Sequence, residues 1–96
     1  MESRNQIIVN IARISELYNI EIDSVEFRDN KDTKIENFLV RFKVKEKVFT
    51  YLDEYMKKSN VDATFVIKRF QDNVSHIMQE IFLDEFEKIK KGIWKH

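Results

Sequence analysis

Few side chains in this sequence could do chemistry. The only imidazoles are His76 and His96, and there is no cysteine. Without cysteine there is no thiol nucleophile, no zinc-thiolate centre and no disulfide framework, a composition suited to a reducing compartment. Ser75 stands beside His76, and adjacent residues on a helix point in different directions, so the two cannot form a nucleophile–base pair. Asp72, His76 and Glu80 fall at i, i+4 and i+8, on one helix face. A metal site needs three or more convergent ligands held rigidly, and this row reads instead as a solvated polar face. The loop Asp29-Asn30-Lys31-Asp32 carries Lys31 where a calcium loop needs an oxygen ligand. Gly92 is the only glycine, so no glycine-rich phosphate loop exists. The expectation is a protein that is not an enzyme and carries no cofactor and no metal.

Charge narrows the binding classes. Seventeen basic residues balance seventeen acidic ones, so no global field draws the chain to nucleic acid or to anionic lipid. Local sets remain. Arg41, Lys43 and Lys45 alternate along one segment, and Glu21, Asp23 and Glu26 are available to neutralise them across a hairpin. After Glu87 the chain holds Lys88, Lys90, Lys91, Trp94, Lys95 and His96 and no acid. Trp94, beyond the expected helix stop at Gly92, is an aromatic suited to anchoring a partner.

The elements that must position these groups follow from periodicity. Ile7, Ile8, Ile11, Ile14, Leu17 and Tyr18 recur at helical spacing, with Ser3 and Gln6 as a capping box, and predict a helix over 3–18. Val25 and Phe27, then Phe38, Val40, Phe42 and Val44, alternate on either side of the turn-forming stretch 29–34 and predict a β-hairpin. Ile20 and Ile22 are out of phase with Val25 and Phe27, and a one-residue bulge near Asp23 or Ser24 restores a single inner face. In that register Glu21 and Asp23 lie opposite Lys43 and Arg41. Val48, Phe49, Leu52, Tyr55 and Met56 predict a short helix ending at Ser59 and Asn60, and Asp62 is the expected N-cap of the last helix. The stripe of that helix runs from Ala63, Val66, Ile67 and Phe70 through Val74, Ile77, Met78 and Ile81 to Phe82, Phe86 and Ile89. The expected fold is therefore α+β, an αββαα order of N-terminal helix, antiparallel hairpin, short helix and long C-terminal helix, in one domain spanning 1–96.

Residues 40–75 carry a resemblance. Val40, Arg41, Phe42, Lys43, Val44 and Lys45, then Leu52 to Met56, the turn at Ser59 and Asn60, and Asp62, Ala63 and Thr64 resemble the ribbon-helix-helix family of DNA-binding dimers. The resemblance implies that the strands of two subunits enter the major groove, that Arg41, Lys43 and Lys45 reach base edges, and that Asp62, Ala63 and Thr64 hold a phosphate.

Length supplies the other reading. A helix of about 30 residues is about 45 Å long, whereas a compact globule of this size is nearer 32 Å across. The helix must bend near Leu83, overhang, or pack on a partner. Its stripe drifts after Ile81, and Phe65 and Leu83 project off it. The leading expectation is a cytoplasmic protein-binding module, a regulator or inhibitor, acting through Phe65, Leu83 and Trp94 on another protein or a second copy of itself. DNA binding is the alternative. The longest apolar runs, three residues each, are far short of the roughly 20 that span a membrane. Abundant Ile, Lys and Asn point to an AT-rich genome or mobile element.

Overall fold

The computed structural model describes residues 3–94, with side chains to 92. Its order is α1 (Ser3–Tyr18), β1 (Glu21–Asp29), β2 (Ile35–Val44), β3 (Lys47–Met56) and α2 (Asn60–Trp94). The three strands form one antiparallel sheet in the order β1-β2-β3. This is an α+β fold of αβββα type rather than αββαα: the expected short helix over 46–58 is the third strand.

That correction has a local cause. Lys45 and Glu46 both adopt positive φ, 48° and 76°, and Val44 pairs with Lys47, the geometry of a two-residue hairpin turn. Such turns normally announce themselves with Asn-Gly, and Lys-Glu gives no such signal. Along β3 the inward residues are Phe49, Tyr51, Asp53 and Tyr55, and the acid at Asp53 interrupts what would otherwise be apolar alternation. Asp53 is accommodated because Arg69 of α2 donates to it from Nε at 2.8 Å and the Tyr51 hydroxyl donates at 2.6 Å. The ribbon-helix-helix order of strand, helix, helix accordingly has no counterpart for its first helix.

Elsewhere the local rules hold. Glu21 pairs with Lys43 as expected, and the register shifts between Ile22 and Ser24, so Arg41 faces Ser24 and Asp23 is the bulged residue. The bulge brings Ile22, Val25 and Phe27 to one face. Helix α1 ends in a left-handed Asn19, φ 54°. Ile20 N–H donates to the Ser15 carbonyl at 3.0 Å and Asn19 N–H to that of Glu16 at 3.4 Å, a Schellman closure. The capping box at the start of α1 does not form, because Gln6 reaches across to α2. Helix α2 is capped by Ser59, whose Oγ accepts from Asp62 N–H at 3.1 Å. Asp62, the expected cap, instead accepts from Met56 N–H and ties the end of β3 to the helix.

Both helices lie on one face of the sheet. Gln6 donates to Thr64 Oγ1 at 2.9 Å and Gln71 reaches the Tyr18 hydroxyl at 3.5 Å, so α1 and α2 run side by side in the same direction. Between them and the sheet are Ile7, Ile11 and Ile14 of α1, Phe38, Val40, Phe42 and Val44 of β2, Tyr55 of β3, and Ala63, Val66, Phe70, Val74 and Ile77 of α2. Phe70 meets Phe42 and Tyr51 edge-on, with ring centroids 5.6 and 5.3 Å apart.

Helix α2 is unbroken over 35 residues, passing through both Leu83 and Gly92. It is about 52 Å long, and the molecule measures 63 × 21 × 19 Å. The helix does not break near Leu83; it overhangs the sheet.

Two L-residues in the left-handed region cost stability, so the double variant Lys45→Asn/Glu46→Gly should gain about 1 kcal/mol, a rise of about 4–8 °C in melting temperature. The exposed pair between Lys45 and Glu85 that it sacrifices is worth a few tenths of a kcal/mol. Thermal unfolding followed by circular dichroism checks this; a fall in melting temperature would contradict the turn.

Candidate protein-binding surface

Among the described residues, two surfaces of the fold stand without a covering element. One is the outer face of the sheet. Glu21, Ser24, Glu26 and Arg28 of β1, Asn37, Leu39, Arg41 and Lys43 of β2, and Val48, Thr50, Leu52, Glu54 and Met56 of β3 share it by register. A groove of about 550 Å³ crosses it beside Phe27, Asn37, Leu39 and Leu52. Leu52, Val48 and Met56 are exposed, scattered among three acids and three bases.

The other surface is the distal part of α2. The last buried side chain of the helix is Ile77, and beyond it Phe82, Leu83, Phe86 and Ile89 are each 54–65% exposed. Phe82 and Phe86 stack on each other, ring centroids 6.4 Å apart. A shallow groove of about 500 Å³ runs along Ser75, Met78, Gln79, Phe82 and Leu83. The stripe lies on a particular side of the helix. Thr64 and Gln71 mark where α1 touches α2, and steps of three and four from Gln71 lead through Ser75, Met78, Phe82 and Phe86 to Ile89. The stripe therefore continues the flank that α1 covers, past the point where α1 ends.

The expected site residues are distributed over the molecule rather than gathered. Phe65 is exposed, near the start of α2 and about 27 Å along the helix from Leu83, so the two belong to different patches. Leu83 lies at the margin of the distal stripe. Trp94 is the last residue of α2, and its side chain lies outside the described residues. Phe82, Phe86 and Ile89, which periodicity placed at the drifting end of the helix stripe, form the centre of the exposed surface. The drift of the stripe after Ile81 was the signal that separates them from the core.

Of the residues implied by the DNA-binding resemblance, Arg41 and Lys43 stand on the outer sheet face. Lys45 sits in the β2–β3 turn, where its Nζ meets Glu85 at 2.7 Å. Asp62 and Thr64 are engaged at the start of α2, on the other side of the sheet, and Ala63 is fully buried. His76 Nε2 lies 3.0 Å from Glu80, and among the described residues no group of three acids, histidines or cysteines is placed to hold a metal. No described helix is long and apolar enough to cross a membrane.

A buried polar cluster fastens the far end of the sheet. Glu36, 4% exposed, points inward from β2 among apolar neighbours. Arg4 of α1 grips it with two hydrogen bonds, one from Nε at 2.8 Å, and Tyr55 donates its hydroxyl. The Arg4 guanidinium holds the Glu36 carboxyl below its ordinary range, against the upward push of burial. Burial, reinforced by the adjacent carboxylate, pushes the Tyr55 hydroxyl up. Arg4 also lies over the Phe27 ring at 5.4 Å. These contacts join α1 to β2 and β3 as a structural clamp. No family model, no curated protein and no solved structure matches this chain.

Because the carboxyl of Glu36 is depressed in the fold, its stabilising contribution is complete above the unfolded value near 4.5 and is lost as pH falls through the lower folded value. Glu36→Gln should therefore cost about 1–3 kcal/mol at about pH 6 and much less at about pH 3. Urea unfolding of both proteins at the two pH values checks this; a cost that does not shrink on acidification would remove Glu36 from the ionised clamp.

Proposed function

We propose that this protein is a small, non-catalytic cytoplasmic module that binds protein through the distal stripe of α2, Phe82, Leu83, Phe86 and Ile89. One observation carries the reading: an uninterrupted helix outruns its own core and carries four large apolar side chains with it. Exposed apolar residues in solvent are common singly. A contiguous row of them, two rings stacked, on an element with no core left to cover is the pattern of an interaction surface. A regulatory or inhibitory role suits a module of this size, which would act by occupying a partner's groove.

The test is selection of binding peptides on the immobilised full chain. Amphipathic helical peptides should be recovered, and Phe82→Gln/Phe86→Gln should abolish their binding while Arg41→Ala/Lys43→Ala leaves it intact. Since the two phenylalanines are exposed, their replacement should change stability by less than about 0.5 kcal/mol, so that lost binding cannot be ascribed to unfolding. Selected binders indifferent to the stripe would refute the proposal.

A second reading, DNA binding through Arg41 and Lys43, draws support from their position on the open sheet face. Glu21, Glu26 and Glu54 share that face, and the start of α2 is turned away from it. Fluorescence anisotropy against a duplex at about 50 and 200 mM salt separates the readings, since phosphate contacts give a steep loss of affinity with salt. The expected result is no salt-sensitive binding at micromolar protein; steep salt dependence abolished by Arg41→Ala/Lys43→Ala would install DNA binding in its place.

A further inference from the structure

We propose that the outer edge of β3, from Val48 to Leu52, takes an extended peptide segment of another protein as a fourth, antiparallel strand, with an acidic residue of that segment opposite Thr50. The site is separate from the α2 stripe, and neither reading rests on the other.

The direction of the backbone groups follows from the β2–β3 turn. Val44 and Lys47 close a two-residue turn, so they exchange both backbone hydrogen bonds. The pairs Phe42–Phe49, Val40–Tyr51, Phe38–Asp53 and Glu36–Tyr55 then do the same in alternation. The residues between them, Val48, Thr50, Leu52, Glu54 and Met56, point their N–H and C=O groups away from β2, toward the open edge. Two of these N–H groups are already taken: that of Glu54 donates to the Asp53 carboxylate at 2.8 Å and that of Met56 to the Asp62 carboxylate. Val48, Thr50 and Leu52 have no such partner among the described residues. Their donors and acceptors alternate at the spacing of an extended backbone, and a strand is what satisfies them.

The opposite edge of the sheet is defended. Strand β1 is bulged at Asp23 and carries Glu21, Glu26, Arg28 and Asp29, the devices that keep an edge from pairing. From Val48 to Leu52, β3 has no charge, no bulge and no proline, and its residues are mostly strand formers. The turn bounds this open segment on one side, and the N–H of Glu54, capped by Asp53, bounds it on the other.

Charge specifies the occupant. Arg41 stands on the outer face between Ser24 and Thr50, with no acid directly across from it in either neighbouring strand, whereas Lys43 faces Glu21. Thr50 is short, and the long stem of Arg41 passes over it toward the next strand position, two strand spacings or about 10 Å from β2. A glutamate opposite Thr50 meets the guanidinium there. A second copy of β3 paired about Thr50 supplies no acid at that position. The shift that brings its Glu54 opposite Thr50 needs the N–H groups that Asp53 and Asp62 already hold. A partner's acidic segment therefore fits where the chain's own strand does not.

Titration of the full chain's backbone amide resonances with a capped peptide of about seven residues tests this. The probe alternates threonine and valine around a central glutamate, so that its second, fourth and sixth N–H groups face β3. Shifts centred on Val48, Thr50 and Leu52 are expected, with a dissociation constant on the order of 0.1–1 mM. Methylating the probe's fourth backbone nitrogen should abolish binding, and methylating its third should leave it within about twofold. A lysine-centred probe should bind at least fivefold more weakly, and Arg41→Ala should erase that difference. Phe82→Gln/Phe86→Gln should leave the titration unchanged, so this site and the α2 stripe fail separately. Absence of shifts at about 2 mM probe, or binding indifferent to methylation of the fourth nitrogen, overturns the strand pairing. Equal affinity for the two probes overturns the acidic occupant. Shifts at the same three amides on concentrating the protein alone would give the edge to a second copy instead.

Discussion

The inner row of β2 is the constraint on which the other elements depend. Flanked on both edges by strands, β2 presents Glu36, Phe38, Val40, Phe42 and Val44 to one side, all of them buried. A chain with only two helices can cover one face of a three-stranded sheet, and the inner row fixes which face that is. The bulge at Asp23 then follows, because without it Ile22 and Val25 would lie on opposite faces of β1. So does the chain's treatment of its inward polar groups: Glu36 and Asp53 each receive an arginine from a covering helix, Arg4 from α1 and Arg69 from α2. Each pair lets an acid remain on the inner face while tying one helix to the sheet at a fixed position. Removing either arginine would leave its acid on the inner face without a compensating charge.

The same row sets where the core ends. Ten strand residues extend about 33 Å, and α2 at about 52 Å exceeds that by nearly 20 Å. Past the β2–β3 turn, marked by the Lys45–Glu85 pair, the helix has no sheet left to lie on. A helix ending there would satisfy the core completely. The chain continues it instead with helix formers and with a second stripe, turned away from the core face toward the flank of α1. Because that stripe is rotated from the first, it is not an extension of the core that happens to be uncovered; it is a separate apolar surface on the same element.

How far the fold could be read from residues depended on how strongly each local signal competed with its alternatives. Helix α1, the first hairpin, its bulge and the Glu21–Lys43 pairing followed from alternation and helical spacing alone. The third strand did not, for two reasons that acted together. The Lys45-Glu46 turn lacks the residues that left-handed backbone prefers, and Asp53 breaks the period of two at the middle of β3. Val48, Phe49, Leu52, Tyr55 and Met56 then fit a helix as well as a strand. The enrichment of 48–51 in β-branched and aromatic residues was the signal that favoured the strand, and the inward acid concealed it. Arg69, sixteen residues away and on another element, resolves the conflict, and such a long-range partner has no signature in local sequence.

The distal stripe shows the complementary limit. Spacing places Phe82, Phe86 and Ile89 on a helix face, but it cannot say whether that face meets the core, since core and interface use the same residues at the same intervals. What distinguishes them is length compared with the sheet, and angle compared with the preceding stripe. Both were present in the sequence: the helix was too long for its globule and the stripe drifted after Ile81. Leu83 and Phe65 were both legible as residues projecting off the main stripe, yet only the fold separates them. Phe65 sits at the start of α2, where α1 and the turn from β3 meet the helix, with Val61 one turn before it the exposed apolar neighbour on its side. Leu83 sits where α1 has ended, beside two stacked phenylalanines, so an arriving helix would find there a continuous apolar seam with no covalent neighbour to displace.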